Sequence, residues 1–210
     1  MPKRDERCKA TLCVFLFFIK GAKVMIKEEV TDILIASPVI AATDKSGWNK
    51  AVSSEARVLF HLNAGLFGAK KDIVSAKEKG KTVFVHIDLT DGIGKDQSGL
   101  LYLKKIGADG IISTRANLIK SASEIGLLTV QRFFALDSKS IHSIKEMISQ
   151  SHPDFVEIMP GIIPKVVKMF SSGSVPVIAG GLIEEKAEVT AALKEGAAAV
   201  STGKDKLWSI

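Results

Sequence analysis

The sequence predicts an α/β fold, a small (β/α)8 barrel of the TIM type, and three observations carry that prediction. Eight short apolar runs, rich in β-branched residues, alternate with amphipathic stretches from Pro38 to the C-terminus. Gly80, Gly107, Gly126 and Gly196 each close an amphipathic stretch just before the next apolar run, where a left-handed helix cap belongs. One apolar run carries an imidazole and a carboxylate on a single face, which suits the lumen of a closed barrel. Strand–helix alternation calls for a parallel sheet, because parallel neighbours need a crossover. Eight strands is the count that closes a barrel. The rival is an open doubly wound sheet of about five or six strands.

The predicted strands are Val39–Thr43, Val58–Leu62, Thr82–Leu89, Gly110–Ser113, Leu128–Phe134, Phe155–Met159, Val175–Ala179 and Ala198–Thr202. The predicted helices are Trp48–Ser54, Lys71–Lys79, Asp96–Ile106, Asn117–Glu124, Ser138–Ser149, Pro164–Phe170, Glu184–Glu195 and a short final Lys204–Trp208. The body is shorter than the ~250 residues usual for such barrels, so several helices have only two or three turns. In the third strand Val83, Val85, Ile87 and Leu89 share one face, and Thr82, Phe84, His86 and Asp88 share the other. The aliphatic face suits the helix layer. The face ending in His86 and Asp88 suits a lumen opening into a pocket, whereas a sheet covered on both sides would bury those groups at a cost.

Composition sets the outer limits. The chain has 210 residues, 46% hydrophobic and 6% aromatic, enough for one domain with an aliphatic core. No stretch reaches the roughly 18 apolar residues of a membrane-spanning helix, so no membrane partner is expected. Cys8 and Cys13 are the only cysteines and lie near the N-terminus, so no disulfide supports the body. That usage points to a reducing, cytoplasmic setting. The net charge of +6 is concentrated early. Residues 1–25 hold six basic and two acidic groups, which leaves 23 basic and 21 acidic groups for the rest. The body is therefore not a polycation, and charge alone makes no case for nucleic acid.

Residues 1–25 are read as an extension, and residues 26–210 as the single barrel domain. The opening MPKRDERCK precedes the apolar ATLCVFLFFI, the outline of a secretory signal. No small-x-small cleavage site follows, however, and Asp5 and Glu6 interrupt the basic part. A misassigned start is the favoured reading. Codons for Lys20-Gly21-Ala22 can contain a ribosome-binding site, with Met25 at initiation distance. A signal peptide and a real interaction or anchor segment are the two other readings. The amphipathic KEEVTDILIAS from Lys27 opens the folded part.

Two constellations carry chemistry. The seventh strand runs into Ala179-Gly-Gly-Leu and the eighth into Ser201-Thr-Gly. Barrel phosphate sites are often built from these two loops and the start of a short helix, with bare amides approaching the anion. Gly180, Gly181, Ser201, Thr202 and Gly203 are the expected cradle; a tight turn alone is the plainer reading. The second constellation rings the same mouth: His86 and Asp88, Arg115 after strand four, Gln131 and Arg132 on strand five, and Glu157 on strand six. Charged groups inside strands are costly unless paired or functional. His86, Asp88, Arg115, Arg132 and Glu157 are the expected ligand pocket, against a plain ring of salt bridges. Alternation does not fix which of Gln131 and Arg132 faces inward. No strand lysine offers a Schiff base, no nucleophile motif appears, and no His/Cys cluster has metal spacing, so no catalytic residue, metal or cofactor is assigned. His61 is expected to be a satisfied rim residue, and His142 and His152 to be solvated.

The ordered motifs His86-Ile-Asp-Leu-Thr-Asp-Gly, Asp109-Gly-Ile-Ile-Ser-Thr-Arg, Gln131-Arg-Phe-Phe-Ala-Leu-Asp-Ser, Glu157-Ile-Met-Pro-Gly-Ile-Ile-Pro, Pro176-Val-Ile-Ala-Gly-Gly-Leu-Ile and the closing Lys206-Leu-Trp resemble the glycerol uptake operon antiterminator (GlpP) family. The resemblance implies a barrel that senses glycerol 3-phosphate as its effector. It also implies binding to the leader mRNA of glycerol-catabolism genes, so that transcription passes a terminator. On matching positions it implies phosphate at Gly180, Gly181, Ser201 and Thr202, and a polar mouth of Asp88, Arg115 and Glu157. The first 25 residues depart from the family pattern. The expected coupling is ligand-driven closure of the Thr90–Gln97 and Asn63–Lys71 segments, which stabilises an RNA-competent surface or a homo-oligomer. A phosphosugar isomerase or aldolase using the same rim is the alternative, and a barrel that acts on another protein is a third. Lysines for RNA phosphates are scattered: Lys70-Lys71, Lys77-Lys79-Lys81, Lys104-Lys105 and Lys204-Lys206.

Overall fold

The structure is a computed structural model and describes residues 25–210. The expectations for residues 1–24 lie outside the described residues. Eight parallel strands close into a barrel in chain order, with β1 (Val39–Thr43) pairing with both β2 (Val58–His61) and β8 (Ala199–Thr202). Between them run β3 (Thr82–His86), β4 (Gly110–Ser113), β5 (Leu128–Phe134), β6 (Phe155–Met159) and β7 (Val177–Gly180). The predicted (β/α)8 architecture is therefore what forms. The outer layer is α2 (Trp48–Ser53), α3 (Leu66–Glu78), α4 (Gln97–Lys105), α5 (Ala116–Glu124), α6 (Ser138–Ser151), α7 (Pro164–Ser171) and α8 (Lys186–Lys194). Gly80, Gly107, Gly126 and Gly196 all carry positive φ at the helix ends expected of them.

Two cores follow from strand alternation. Outward side chains such as Ala41, Leu59, Val83, Val85, Ile111 and Val200 pack under the helices. Inward ones, including Ile40, Phe60, Phe84, Ile112, Val130, Phe155 and Ile178, fill the lumen. Phe84 packs edge-on against both Phe60 and Phe155, with ring centroids 5.7 and 6.5 Å apart. Helix α1 (Lys27–Ala36) adds buried Val30 and Leu34 to this inner core, so the lumen is a packed core and not a pore. No helix among the described residues is long and apolar enough to cross a membrane.

Most boundaries shift by two residues or fewer, and four differences stand out. β3 stops at His86, and Ile87–Leu89 form a 3-10 turn. Ile87 keeps its place in the helix-side core. Leu89 is 53% exposed rather than on the expected aliphatic face. α3 begins at Leu66, five residues before Lys71, because exposed Leu66 and Phe67 mask the amphipathic period. β7 begins at Val177, after Pro176, whose carbonyl accepts from the Val156 amide. The expected final helix is a single 3-10 turn, Asp205–Leu207.

Candidate functional site

The C-terminal ends of the strands gather the polar residues. Arg132 on β5 and Glu157 on β6 are register partners, and Arg132 Nε donates to Glu157 Oε2 at 2.6 Å. Glu157 Oε1 accepts from Ser201 Oγ on β8, also at 2.6 Å. Glu157 thus reaches past β7, and Gly180 makes this reach possible. A β-carbon there would stand 2.5 Å from Glu157 Oε1 and 2.6 Å from Ser201 Oγ. Val130 occupies the lumen, so Arg132 follows it inward. Gln131 turns outward and accepts from Ser151 Oγ of α6. The two residues that the sequence could not separate are therefore assigned.

His86 ends β3 beside this pair. It is 3% exposed, and its Nδ1 has no partner among the described residues. Burial pushes its pKa down to about 4, helped by the Arg132 charge and opposed by Asp88 and Glu157. The ring is therefore neutral at physiological pH. One nitrogen can donate and the other accept.

Asp88 behaves differently from an open ligand group. Its Oδ1 accepts from Ser113 Oγ (2.9 Å), and its Oδ2 accepts from the Thr114 amide (2.7 Å) and hydroxyl (3.1 Å). Arg115 Nε stands 3.6 Å from Oδ1, with a half-exposed side chain. Asp88 thus pins the turn after β4 and holds the foot of Arg115 at the rim. Ser113 and Thr114 were not singled out in the sequence; the early end of β3 is what aims Asp88 at them.

The last two loops meet as expected. Gly180 pairs in register with Ser201, and Gly181 has φ +79. Leu182 follows at φ +61, a region a branched residue enters at a cost and one often found at functional turns. Thr202 points outward and braces both loops: its hydroxyl donates to the Ile183 carbonyl at 2.7 Å and accepts from the Lys204 amide at 3.1 Å. Trp208 Nε1 donates to the Thr202 carbonyl at 2.8 Å. Lys204 pairs with Glu184 and Lys206 with Glu185 across the two loops. The start of α8 is already occupied, since Glu188 accepts from the Glu184 and Glu185 amides at 2.7 and 2.9 Å. An anion here therefore has to rely on the Gly181–Leu182 turn and Gly203.

Gly161, in the loop after β6, also belongs to this surface. Its amide donates to the Gly180 carbonyl, and its α-carbon packs on the β7 backbone. The Pro160-Gly161 pair at a strand end was the available signal. His61 lies elsewhere. Phe60 takes the lumen, so His61 faces the helices, stacks on Trp48 at 4.3 Å and engages Asp72 at 3.1 Å through Nε2. It is a buried group of the helix layer, not a rim residue, and its Nδ1 lacks a partner among the described residues. A cleft of about 840 Å³, lined by Lys145, His152, Asp154, Phe170 and Val175, opens at the other end of the barrel.

Residues 39–208 match the glycerol-3-phosphate responsive antiterminator family. The chain belongs to this family. This antiterminator-family chain is 34% identical to the uncharacterized protein YgcP of Escherichia coli K12, over 85% of the chain and 95% of that protein. The structure is similar to that of a glycerol uptake operon antiterminator-related protein from Thermotoga maritima, with a TM-score of 0.74 and 36% identity over 82% of this chain and 98% of the other. A glycerol uptake operon antiterminator regulatory protein from Listeria monocytogenes gives a TM-score of 0.76 at 35% identity, over 81% of this chain and 94% of the other.

Proposed function

We propose that this antiterminator-family chain binds glycerol 3-phosphate at the C-terminal mouth of the barrel and, when liganded, acts on the leader mRNA of glycerol-catabolism genes. One observation carries the ligand site: a neutral, buried imidazole, its Nδ1 unpartnered among the described residues, and a desolvated Arg–Glu pair lie at the same mouth of the barrel as two glycine-containing loops. Buried polar atoms in native structures are nearly all paired, so an unpaired one calls for an explanation. Here a ligand hydroxyl supplies it. His86 and Glu157 face the glycerol hydroxyls, and Arg132 adds cationic donors. The Gly181–Leu182 turn and Gly203 offer amides to the phosphate. Ser201 and Gly180 act by shaping the floor, Thr202 by bracing the loops, and Asp88 by holding Arg115 at the rim. The chain is a regulator on this reading, with no turnover, and works in the cytoplasm where the transcript is made.

Calorimetric titration with glycerol 3-phosphate, glycerol and inorganic phosphate tests the site. The expected result is binding of the first much more tightly than the other two, because only the first fills both halves. Equal, weak heats from all three would overturn it.

A further inference from the structure

The first turn of α3 presents an aromatic ring wholly to water. Phe67 is 101% exposed, yet its backbone is firmly held. The Leu66 amide donates to the Asp91 carbonyl at 2.9 Å, and the Ala69 amide to the Gly65 carbonyl at 2.8 Å. Tyr102 Oη donates to the Leu66 carbonyl at 3.1 Å, and Gly65 forms a parallel bridge with Asp91. Lys70 and Lys71 lie three and four residues on, so they share the ring's face of the helix. Lys45 comes in from the turn after β1, its Nζ 3.8 Å from where a β-carbon on Gly68 would stand. None of these three lysines forms an ion pair among the described residues. Two neighbouring carboxylates are turned to local partners, Asp44 to Ser46 and Asp72 to His61. Asp91 remains exposed at the edge.

A solvated ring on a firmly held backbone, set among free ammonium groups, matches the way unpaired bases are bound. The base stacks on the aromatic face and the cations follow the phosphates. A protein partner fits less well, because lysine is depleted from protein–protein interfaces. We propose that Phe67, with Lys45, Lys70 and Lys71, is the platform on which this chain stacks an unpaired base of its RNA. This rests on the RNA-acting function proposed above. The platform is joined to the ligand mouth by one short strap. Asp88 sits in the 3-10 turn Ile87–Leu89, buried Thr90 donates to the Ile87 carbonyl at 2.8 Å, and Asp91 carries the bridge to Gly65. Arg115 leans on Asp88, so a ligand that shifts Arg115 at the rim pulls on the base of the platform.

The test selects RNA from a random-sequence pool on the full chain with glycerol 3-phosphate present, then measures variants against the selected RNA at fixed salt. F67A is expected to weaken RNA binding about tenfold, and F67W to retain it. K70A/K71A is expected to weaken binding and flatten its salt dependence. Glycerol 3-phosphate affinity measured without RNA should be unchanged in all three. If the parent chain selects no RNA, the RNA-acting function fails and takes the platform with it. If RNA is selected and F67A binds it as tightly as the parent, the platform alone is overturned. F67A with parental RNA affinity but a dimer lost in sedimentation would assign the face to a second copy, which also overturns it.

Discussion

His86 shows how one side chain can report on the whole mouth. Its pKa is depressed to about 4 by burial and by Arg132, whereas an unfolded chain titrates it near 6.5. Above about pH 6.5 neither state binds the proton, and the folded state keeps its full stability. Between about 6.5 and 4 the unfolded chain takes up a proton that the folded one refuses, so stability falls. Below about 4 this contribution levels off, after a loss on the order of 3 kcal/mol. His61 is shifted in the same direction, by burial opposed by Asp72, so wild type alone does not isolate His86. The difference between wild type and H86Q does. Urea midpoints followed from pH 7.5 to 4 should diverge as the pH falls, with the wild type losing more. Parallel curves would mean that His86 is hydrated or charged in the fold. Gly180 makes a second residue-scale prediction. G180A places a methyl group against Glu157 and Ser201 at under 3 Å, and should cost about 1–3 kcal/mol in urea denaturation, as overpacking does. An unchanged midpoint would show that the Ser201–Glu157 contact yields freely.

At the scale of elements, α1 is the piece that the barrel motif does not require. It buries Val30 and Leu34 against the inner core at the strand-start end, while Ile35 on the same helix stays exposed. L34A should therefore lower stability by about 2–5 kcal/mol, and I35A should stay within about 0.5 kcal/mol of wild type. Glycerol 3-phosphate affinity should be the same for both, because α1 lies at the end opposite the mouth. Equal midpoints for the two variants would mean that α1 is only loosely seated. Strand periods were the most legible part of the sequence. Alternation placed Phe84 and His86 inward and Val83 and Val85 outward, and the helix-ending glycines marked the boundaries. What stayed hidden depends on contacts between distant segments. Glu157 meeting Ser201 across a bare Gly180 is invisible without the register. Asp88 leaves its strand because Ser113 and Thr114, 25 and 26 residues further on, donate to its carboxylate. Gln131 and Arg132 are both polar and adjacent, so only the closed barrel says which of them sees the lumen.

For the whole molecule, ligand and fold are linked by mass action. The proposed site draws on β3, β5, β6, β7 and β8 together, so an unfolded chain holds none of it. A ligand that binds only the folded state stabilises it by about 2.7 kcal/mol at one hundred times its dissociation constant. For a domain of this size each kcal/mol raises Tm by about 2–4 °C, so glycerol 3-phosphate should shift the melt by roughly 5–10 °C. Inorganic phosphate and glycerol at the same concentration should shift it far less, since each fills one half of the mouth. R132M separates a ligand effect from a general salt effect. It removes the guanidinium proposed to face the ligand and leaves Glu157 buried without its partner, so its unliganded Tm should fall by several degrees. If that variant still gains the full shift from glycerol 3-phosphate, the effector sits elsewhere on the barrel and the assignment of the mouth is wrong.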